Sequence, residues 1–318
     1  MQNKYKHIFW LVFKIVVAMF AFWFIYLKVK EFSFSDFVFP GFNFHSYFIF
    51  SIAVLLMPLN WLLETVKWKY LIRRLERITL LNAFKAVLSG ISFAVISPNR
   101  IGELAGRVFI LKNKNRGRAI FATAVGSLSQ LMITLFIGLF SGVVVLFYYP
   151  AQLQIIDSEQ LFYLKIVSFS VVVFGFLFLF NLKYLVIFIK KLKINIKFIE
   201  YIEVLSEYSK DELFKVLLLS LLRYLIFSLQ FVLLLYFFNT GIPIHEAFIG
   251  IGLTYLVSSL VPVLSILEIG VRGTAAILFL GMFSENIPGI LSATAVLWFI
   301  NLAIPSVAGA FVFYRTKI

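Results

Sequence analysis

Long apolar runs, separated by short charged or turn-forming stretches, occupy almost the whole of this 318-residue chain. Several of them reach the roughly 20 residues that a helix needs to cross the hydrocarbon of a bilayer. Only 14% of the residues are charged, which is far below the usual fraction in soluble proteins. The pattern predicts an all-α polytopic membrane protein that forms one transmembrane domain over residues 1–318. The apolar segments are 8–27, 46–66, 80–97, 119–148, 160–181, 213–238, 244–261, 271–283 and 288–313.

The residue types exclude several kinds of chemistry. The chain has no cysteine, so disulfides and thiolate metal sites are excluded. Its three histidines, His7, His45 and His245, are far apart in sequence, so neither a histidine metal site nor a Ser/His/Asp triad is expected. No Gly-x-x-x-x-Gly-Lys-Ser/Thr motif occurs, so nucleotide hydrolysis is not expected to drive the protein. We therefore expect no metal and no cofactor.

The net charge of +14 is unevenly distributed along the chain. Lys and Arg concentrate in the N-terminal tail, in the connections 67–77, 112–118 and 182–215, and at the C-terminus. By the positive-inside rule these parts face the cytoplasm, which accounts for the positive charge without nucleic acid as a partner. The segment 8–27 ends without a small-residue cleavage site, so we expect a retained first helix in a bacterial cytoplasmic (inner) membrane, with both termini cytoplasmic.

The same charge pattern predicts two re-entrant hairpins. Basic residues flank 80–111 on both sides, and the return limb 101–111 is too short to span on its own. Weakly charged outer connections flank 244–283, which predicts a second hairpin that enters from the outside. Each half then crosses three times, so 1–150 and 151–318 would be inverted repeats, with a cytoplasmic interfacial segment at 182–212. The alternatives are that both limbs span fully or that the duplication is coincidental.

Two polar motifs stand out, one near each predicted hairpin tip. The first runs from Ser97 to Arg107 and the second from Val261 to Gly273. In each, a proline precedes a Glu and an Arg follows that Glu by four residues, a spacing that places both side chains on one helix face. A helix N-terminus with arginines favours an anion such as a phosphate. The predicted substrate-binding residues are Arg100, Glu103, Arg107, Glu268 and Arg272.

A structural alternative is that the Glu-Arg pairs only neutralise charge inside the bilayer. Other polar residues within apolar segments are expected either to line the cavity or to serve interhelical hydrogen bonds and interfaces. Glu64 is expected to pair with Lys67 or Lys69 at the cytoplasmic surface. The predicted secondary cavity-lining residues are Pro98, Gly102, Lys85, Gln130, Arg223 and Asn301.

The first motif resembles the signature of a known family. Pro98-Asn99-Arg100-Ile101-Gly102-Glu103, followed by Arg107 and a basic turn, is similar to the Pro-x-Arg-x-Gly-Glu signature of the lysylphosphatidylglycerol synthase transmembrane-region family, also called flippase-like proteins. Val66-Lys67-Trp68-Lys69-Tyr70-Leu71 looks like that family's basic-Trp segment after its second helix. The resemblance implies movement of an anionic phospholipid, an aminoacylated phospholipid or a polyprenyl-phosphate-linked lipid between leaflets.

Two stretches depart from the family pattern. The Glu-Arg pair that many members carry in the helix after the motif is replaced by Val125-Gly126-Ser127-Leu128-Ser129-Gln130, and the second motif lacks adjacent glycines. These departures leave the substrate open. The full-length lysyl-lipid synthases add a soluble aminoacyl-transferase domain, and because this chain ends at Ile318 without one, we do not expect aminoacylation.

We therefore expect a lipid translocase with a membrane lipid as its partner, driven by an ion gradient or by mass action; a homo-oligomer is compatible with the sequence. Arg100, Arg107 and Arg272 would hold a lipid phosphate, while Glu103 and Glu268 would pair with arginine in the empty site or take a coupling proton. Two other classes stay open. One is a membrane-embedded lipid-modifying enzyme with either glutamate as general base, and the other is a non-transporting partner subunit in envelope or polysaccharide assembly.

Overall fold

The computed structural model describes residues 44–95, 97, 101–149, 158–191, 196–261 and 268–315. Within these ranges the regular secondary structure is helical throughout, which confirms the all-α prediction. The predicted first helix, 8–27, lies outside the described residues. The helices are α1 (Phe44–Ile72), α2 (Leu80–Val95), α3 (Ile101–Val108), α4 (Asn113–Tyr148), α5 (Ser158–Phe180), α6 (Leu182–Lys191), α7 (Ile196–Ile202), α8 (Lys210–Phe237), α9 (Ile244–Leu260), α10 (Glu268–Leu280), α11 (Ile287–Trp298) and α12 (Ile304–Arg315).

Four helical stretches in the described part of the chain are long and apolar enough to cross a membrane. They are α1, residues 115–148 of α4, α8, and the 29 residues from Ile287 to Arg315. A fifth crossing results if Val173–Phe180 and Leu182–Lys191, which meet at 72°, count as one bent span. The protein is thus a multi-pass membrane protein, as its hydropathy predicts.

The last of these crossings contains a π-helical segment, Phe299–Ala303, between α11 and α12. Pro305 follows it and has no N–H to donate to the carbonyl of residue 301, one helical turn earlier. A π segment accommodates such a break and turns Asn301 towards the interior, where it is 6% exposed.

Each predicted hairpin appears as two helices that pack against each other, α2 with α3 and α9 with α10. The return limb α3 has only eight residues, about 12 Å at 1.5 Å per residue, so it cannot cross a bilayer. Glycines bring α2 and α3 close together, since a Cβ at Gly106 would lie 2.8 Å from the Cα of Gly90. The tips themselves, 98–100 and 262–267, lie outside the described residues.

The first limb of each hairpin packs against the last crossing of the other half: α2 on α12, and α9 on α4. Both contacts use glycine, as close helix packing in membranes requires. A Cβ at Gly309 would lie 1.9 Å from the carbonyl oxygen of Leu88, and one at Gly138 would lie 2.5 Å from the Cβ of Leu256. Each hairpin thus contacts the other half of the chain in the same way, as expected if the two halves are related. The inverted-repeat relation and its boundaries, 1–150 and 151–318, stay predictions.

The predicted interfacial segment, 182–212, contains α6, α7 and a 3₁₀ turn at Glu203–Ser206. Helix α6 buries Leu182 and Val186, while Tyr184, Phe188 and the neighbouring lysines are exposed. This amphipathic arrangement is typical of a helix at a membrane surface. Its cytoplasmic side stays a prediction.

A capping box starts α8 at the end of this segment. Ser209 accepts a hydrogen bond from the Glu212 backbone, and the Glu212 side chain accepts one from the Ser209 backbone. Glu212 also accepts hydrogen bonds from Arg73, just beyond α1, and from Arg74 at 2.8 Å. These contacts tie the end of α1 to the start of α8, and the two helices pack along their lengths.

Candidate functional site

A cavity of about 550 Å³ lies between α1, α3, α4, α8, α9, α10 and the π segment. Polar residues from the middles of the crossing helices line it. Arg223 is the fourteenth of the 28 residues of α8, and Asn301 is the fifteenth of the 29 residues from Ile287 to Arg315. At 1.5 Å per residue each is about 20 Å from either end of its helix. The cavity is therefore at mid-depth of the helical bundle.

The structure brings most of the predicted site residues together at this cavity. Two predicted residues that the structure describes, Gly102 and Lys85, do not line the cavity. A Cβ at Gly102 would lie 2.3 Å from the Phe93 carbonyl oxygen, so this glycine serves the contact between α2 and α3. Lys85 is exposed. Arg100 and Pro98 lie outside the described residues. The predicted residues that line the cavity are Glu103, Arg107, Gln130, Arg223, Glu268, Arg272 and Asn301.

In each motif the Glu and the Arg form an ion pair, because residues four apart lie on one face of a helix. The Nη2 of Arg107 donates to Glu103, and the Nη2 of Arg272 donates to Glu268. Each glutamate lies in the first turn of its short helix, where a negative charge is stabilised by the helix dipole. The two pairs thus bring ion-paired groups from both hairpins to one cavity.

Glu64 connects the charged groups on one side of the cavity, a role that its sequence position does not reveal. The expected pairing with Lys67 is confirmed, with 2.8 Å between the Glu64 Oε2 and the Lys67 Nζ. The expected location at the cytoplasmic surface is wrong, since Glu64 is 3% and Lys67 1% exposed. The Nη1 of Arg107 donates to the Glu64 Oε1 at 2.7 Å, and the Nη1 of Arg223 lies 3.0 Å from Oε2. One buried carboxylate therefore compensates three cations.

The reason for this correction is the length of α1. Hydropathy ends the second apolar segment at residue 66, because Lys67 and Lys69 resemble the start of a cytoplasmic loop. The helix continues to Ile72 and carries Lys67 inward, where its Nζ also donates to the Ser220 Oγ at 3.3 Å. The spacing of three residues between Glu64 and Lys67 predicts that they pair, but it does not show that the pair is buried.

An amide network extends from the charged cluster across the bundle. The Arg223 Nε donates to the Asn60 Oδ1 at 3.0 Å, and the Asn60 Nδ2 donates to the Asn301 Oδ1 at 3.2 Å. The Asn301 Nδ2 donates to the Gln230 Oε1 at 2.7 Å, and the Gln230 Nε2 donates to the Ala53 carbonyl at 2.7 Å. Both predicted roles, interhelical bonding and cavity lining, thus coincide at Asn301. Such a network fixes α1, α8 and the π segment relative to one another.

Aromatic rings support two of the arginines. The guanidinium of Arg223 lies 5.0 Å from the centre of the Trp61 ring, and that of Arg272 lies 5.7 Å from the ring centres of both Phe227 and Tyr255. Contacts of this kind stabilise a guanidinium whose hydration is reduced. They keep both arginines at the cavity wall.

The charges that line the cavity favour an anion. Burying an uncompensated charge is unfavourable, and among the described residues of the lining the positive charges exceed the negative ones by one. A phosphate or carboxylate would therefore meet a wall of net positive charge. The charged lining residues are Glu64, Glu103 and Glu268 on one hand, and Lys67, Arg107, Arg223 and Arg272 on the other.

The resemblance noted in the sequence is supported by a comparison with known families. Residues 11–310 match the family described as lysylphosphatidylglycerol synthase TM region, which covers nearly the whole chain. No curated protein matches the sequence. On the family match, the chain belongs to the lysylphosphatidylglycerol synthase transmembrane-region family.

Proposed function

We propose that this protein is a lipid translocase. Its substrate would be an anionic phospholipid, an aminoacylated phospholipid or a polyprenyl-phosphate-linked lipid that it moves between the leaflets of a bacterial inner membrane. The observation that carries the proposal is the mid-depth cavity lined by arginines and carboxylates. Membership in a family named for a lipid synthase's membrane region supports a lipid as substrate.

The physical argument concerns the headgroup. A charged headgroup crosses the bilayer slowly because its transfer from water to hydrocarbon is very unfavourable. A polar cavity at mid-depth lowers that barrier, while the acyl chains stay in lipid. The volume of about 550 Å³ falls in the range of pockets that hold small ligands, roughly 300–1,000 Å³.

The charged residues have distinct roles in this proposal. Arg100, Arg107 and Arg272 are the candidates for contact with the phosphate, and guanidinium groups suit phosphate because they donate paired hydrogen bonds. Glu103 and Glu268 are the counter-ions of the empty site, and a proton on either would couple transport to an ion gradient. Otherwise mass action drives the movement. The basic connections orient both termini to the cytoplasm.

Leaflet exchange in proteoliposomes tests the proposal. A panel of fluorescent anionic and zwitterionic lipids is reconstituted with the wild type, with Arg272→Gln, and with Glu246→Gln. Glu246 is a suitable control because it contacts Tyr149 at 3.1 Å and does not line the cavity. We expect exchange of one lipid class by the wild type and the control, and its loss in Arg272→Gln. No exchange of any lipid by folded protein under an ion gradient would refute transport and favour the enzyme or partner-subunit alternatives.

A further inference from the structure

We propose that the two Glu-Arg pairs have different roles: Glu268–Arg272 opens to accept a substrate phosphate, whereas Glu103–Arg107 stays closed and, with Glu64, positions the cavity wall. The inference rests on the proposed function and assigns its phosphate contact to one arginine. The sequence treats the pairs as equivalent, because the residues and their spacing are the same. Their surroundings differ in the number of carboxylates on the arginine, in the exposure of the arginine and in the packing of the return limb.

The first difference is the number of carboxylates on each arginine. Arg107 donates from Nη1 to Glu64 at 2.7 Å and from Nη2 to Glu103, so both terminal nitrogens have carboxylate partners. Its side chain is 4% exposed. A phosphate would have to displace a buried carboxylate that also compensates Lys67 and Arg223. Removing that partner would leave buried positive charge uncompensated, which is strongly unfavourable.

Arg272 has one carboxylate partner, Glu268, in the described part of the chain. The Arg272 side chain is 12% exposed and that of Arg107 4%, while Glu268 and Glu103 are similar, at 14% and 15%. The Nε of Arg272, like that of Arg107, is buried and has no hydrogen-bond partner among the described residues. Since Phe227 and Tyr255 contact the guanidinium, Arg272 keeps favourable contacts when the carboxylate leaves. An incoming phosphate oxygen would replace Glu268 and could also satisfy Nε, because guanidinium binds phosphate in a two-pronged manner.

The packing around the glycines of the two return limbs differs in the same sense. In α3, a Cβ at Gly102 would lie 2.3 Å from the Phe93 carbonyl oxygen, and one at Gly106 would lie 2.8 Å from the Gly90 Cα. In α10, a Cβ at Gly270 would meet no described residue within 4 Å, and one at Gly273 would lie 3.5 Å from a methyl carbon of Leu291, which is ordinary van der Waals contact. The first return limb is held tightly against its partner helix, whereas Gly270 of α10 has no such close contact with the described residues.

Binding measured apart from transport tests the assignment. Purified full-length protein in detergent is titrated with short-chain phosphatidylglycerol, and native mass spectrometry counts the bound lipid. Diacylglycerol, which has no phosphate, gives the background, and glycerol phosphate in a parallel titration shows whether the acyl chains are needed. The variants are Glu268→Gln and its counterpart Glu103→Gln, together with Arg272→Gln. Thermal unfolding checks that each variant is folded. If Arg272→Gln is not folded, Arg272→Lys takes its place, and if Glu268→Gln is not folded, Glu268→Asp takes its place.

Glu268→Gln removes a carboxylate that competes with the phosphate, so we expect about threefold to tenfold tighter phosphatidylglycerol retention. Glu103→Gln should bind like the wild type within about twofold, because Glu64 still occupies Arg107. Arg272→Gln should lose the preference over diacylglycerol, and Arg272→Lys should weaken it, since an ammonium lacks the planar fork of guanidinium. Glu268→Asp shortens the competing side chain and should tighten binding less than Glu268→Gln.

Two results would overturn the assignment. If Glu103→Gln tightens binding and Glu268→Gln does not, the exchangeable pair is the first one, and the phosphate site and the proposed transport both survive. If Arg272→Gln keeps the full preference for phosphatidylglycerol, Arg272 is not the phosphate contact. A wild type without preference for either phosphate probe, combined with no leaflet exchange, would instead remove the proposed function itself.

Discussion

Replacing Glu64 by glutamine is expected to destabilise the protein more than any single exposed charge replacement. The side chain is 4% exposed, and its oxygens lie 2.7–3.0 Å from nitrogens of Arg107, Lys67 and Arg223. Glutamine keeps the size of the side chain but removes the charge that compensates these cations. Breaking a buried ion pair from one side costs about 3–5 kcal/mol of unfolding free energy, and we expect a loss of that order.

Unfolding in mixed detergent micelles measures this loss. Tryptophan fluorescence is a suitable signal, because Trp61 and Trp68 are buried on the same helix within four residues of Glu64. The matched control is Glu203→Gln, which removes an ion pair with Lys190 in which both side chains are more than 40% exposed. The control should lose no more than about 1 kcal/mol. If Glu64→Gln and Glu203→Gln lower the unfolding free energy equally, Glu64 is not the buried counter-ion of the cavity.

Three further predictions follow from packing, hydrogen bonding and topology. Gly309→Ala places a methyl group against the Leu88 carbonyl and should lower the unfolding free energy by about 1–3 kcal/mol. A Cβ at Gly270 would meet no described residue within 4 Å, so in the same assay Gly270→Ala should leave the unfolding free energy unchanged or raise it by up to about 1 kcal/mol. Asn301→Leu breaks the bonds to Gln230 and Asn60 and should lower the unfolding free energy by about 1–3 kcal/mol for each buried group left unpaired. Single cysteines at Asn99 and Ile266 should be labelled from opposite sides, and labelling of both from one side only would remove the inverted arrangement.

Much of the fold could be predicted from sequence because the membrane restricts the choice of structure. Backbone groups in hydrocarbon must bond internally, so long apolar runs become helices, and their positions follow from hydropathy. The predicted segments 119–148 and 213–238 correspond closely to α4 and α8. The short limb α3 was also predictable, because basic residues flank 80–111 on both sides.

The site was only partly predictable because its central contacts join distant parts of the chain. A spacing of four residues indicates that Glu103 meets Arg107, since both lie on one helix. No local pattern indicates that Glu64 meets Arg107, 43 residues away, or Arg223, on another crossing helix. The basic residues after Glu64 instead suggested a surface loop, because hydropathy does not show that a lysine can be buried beside a carboxylate. For the same reason the sequence does not distinguish the two Glu-Arg pairs.

If lipid headgroups pass through the mid-depth cavity, as we propose, a chemical block of that cavity should stop transport. Because the chain contains no cysteine, Ser127→Cys introduces a single thiol at the cavity wall, and Ser51→Cys introduces one at an exposed position outside it. Each variant is reconstituted in proteoliposomes, and leaflet exchange is measured before and after reaction with a bulky thiol reagent. We expect modification to stop exchange in Ser127→Cys and to leave it unchanged in Ser51→Cys. Full exchange by completely modified Ser127→Cys protein would contradict it.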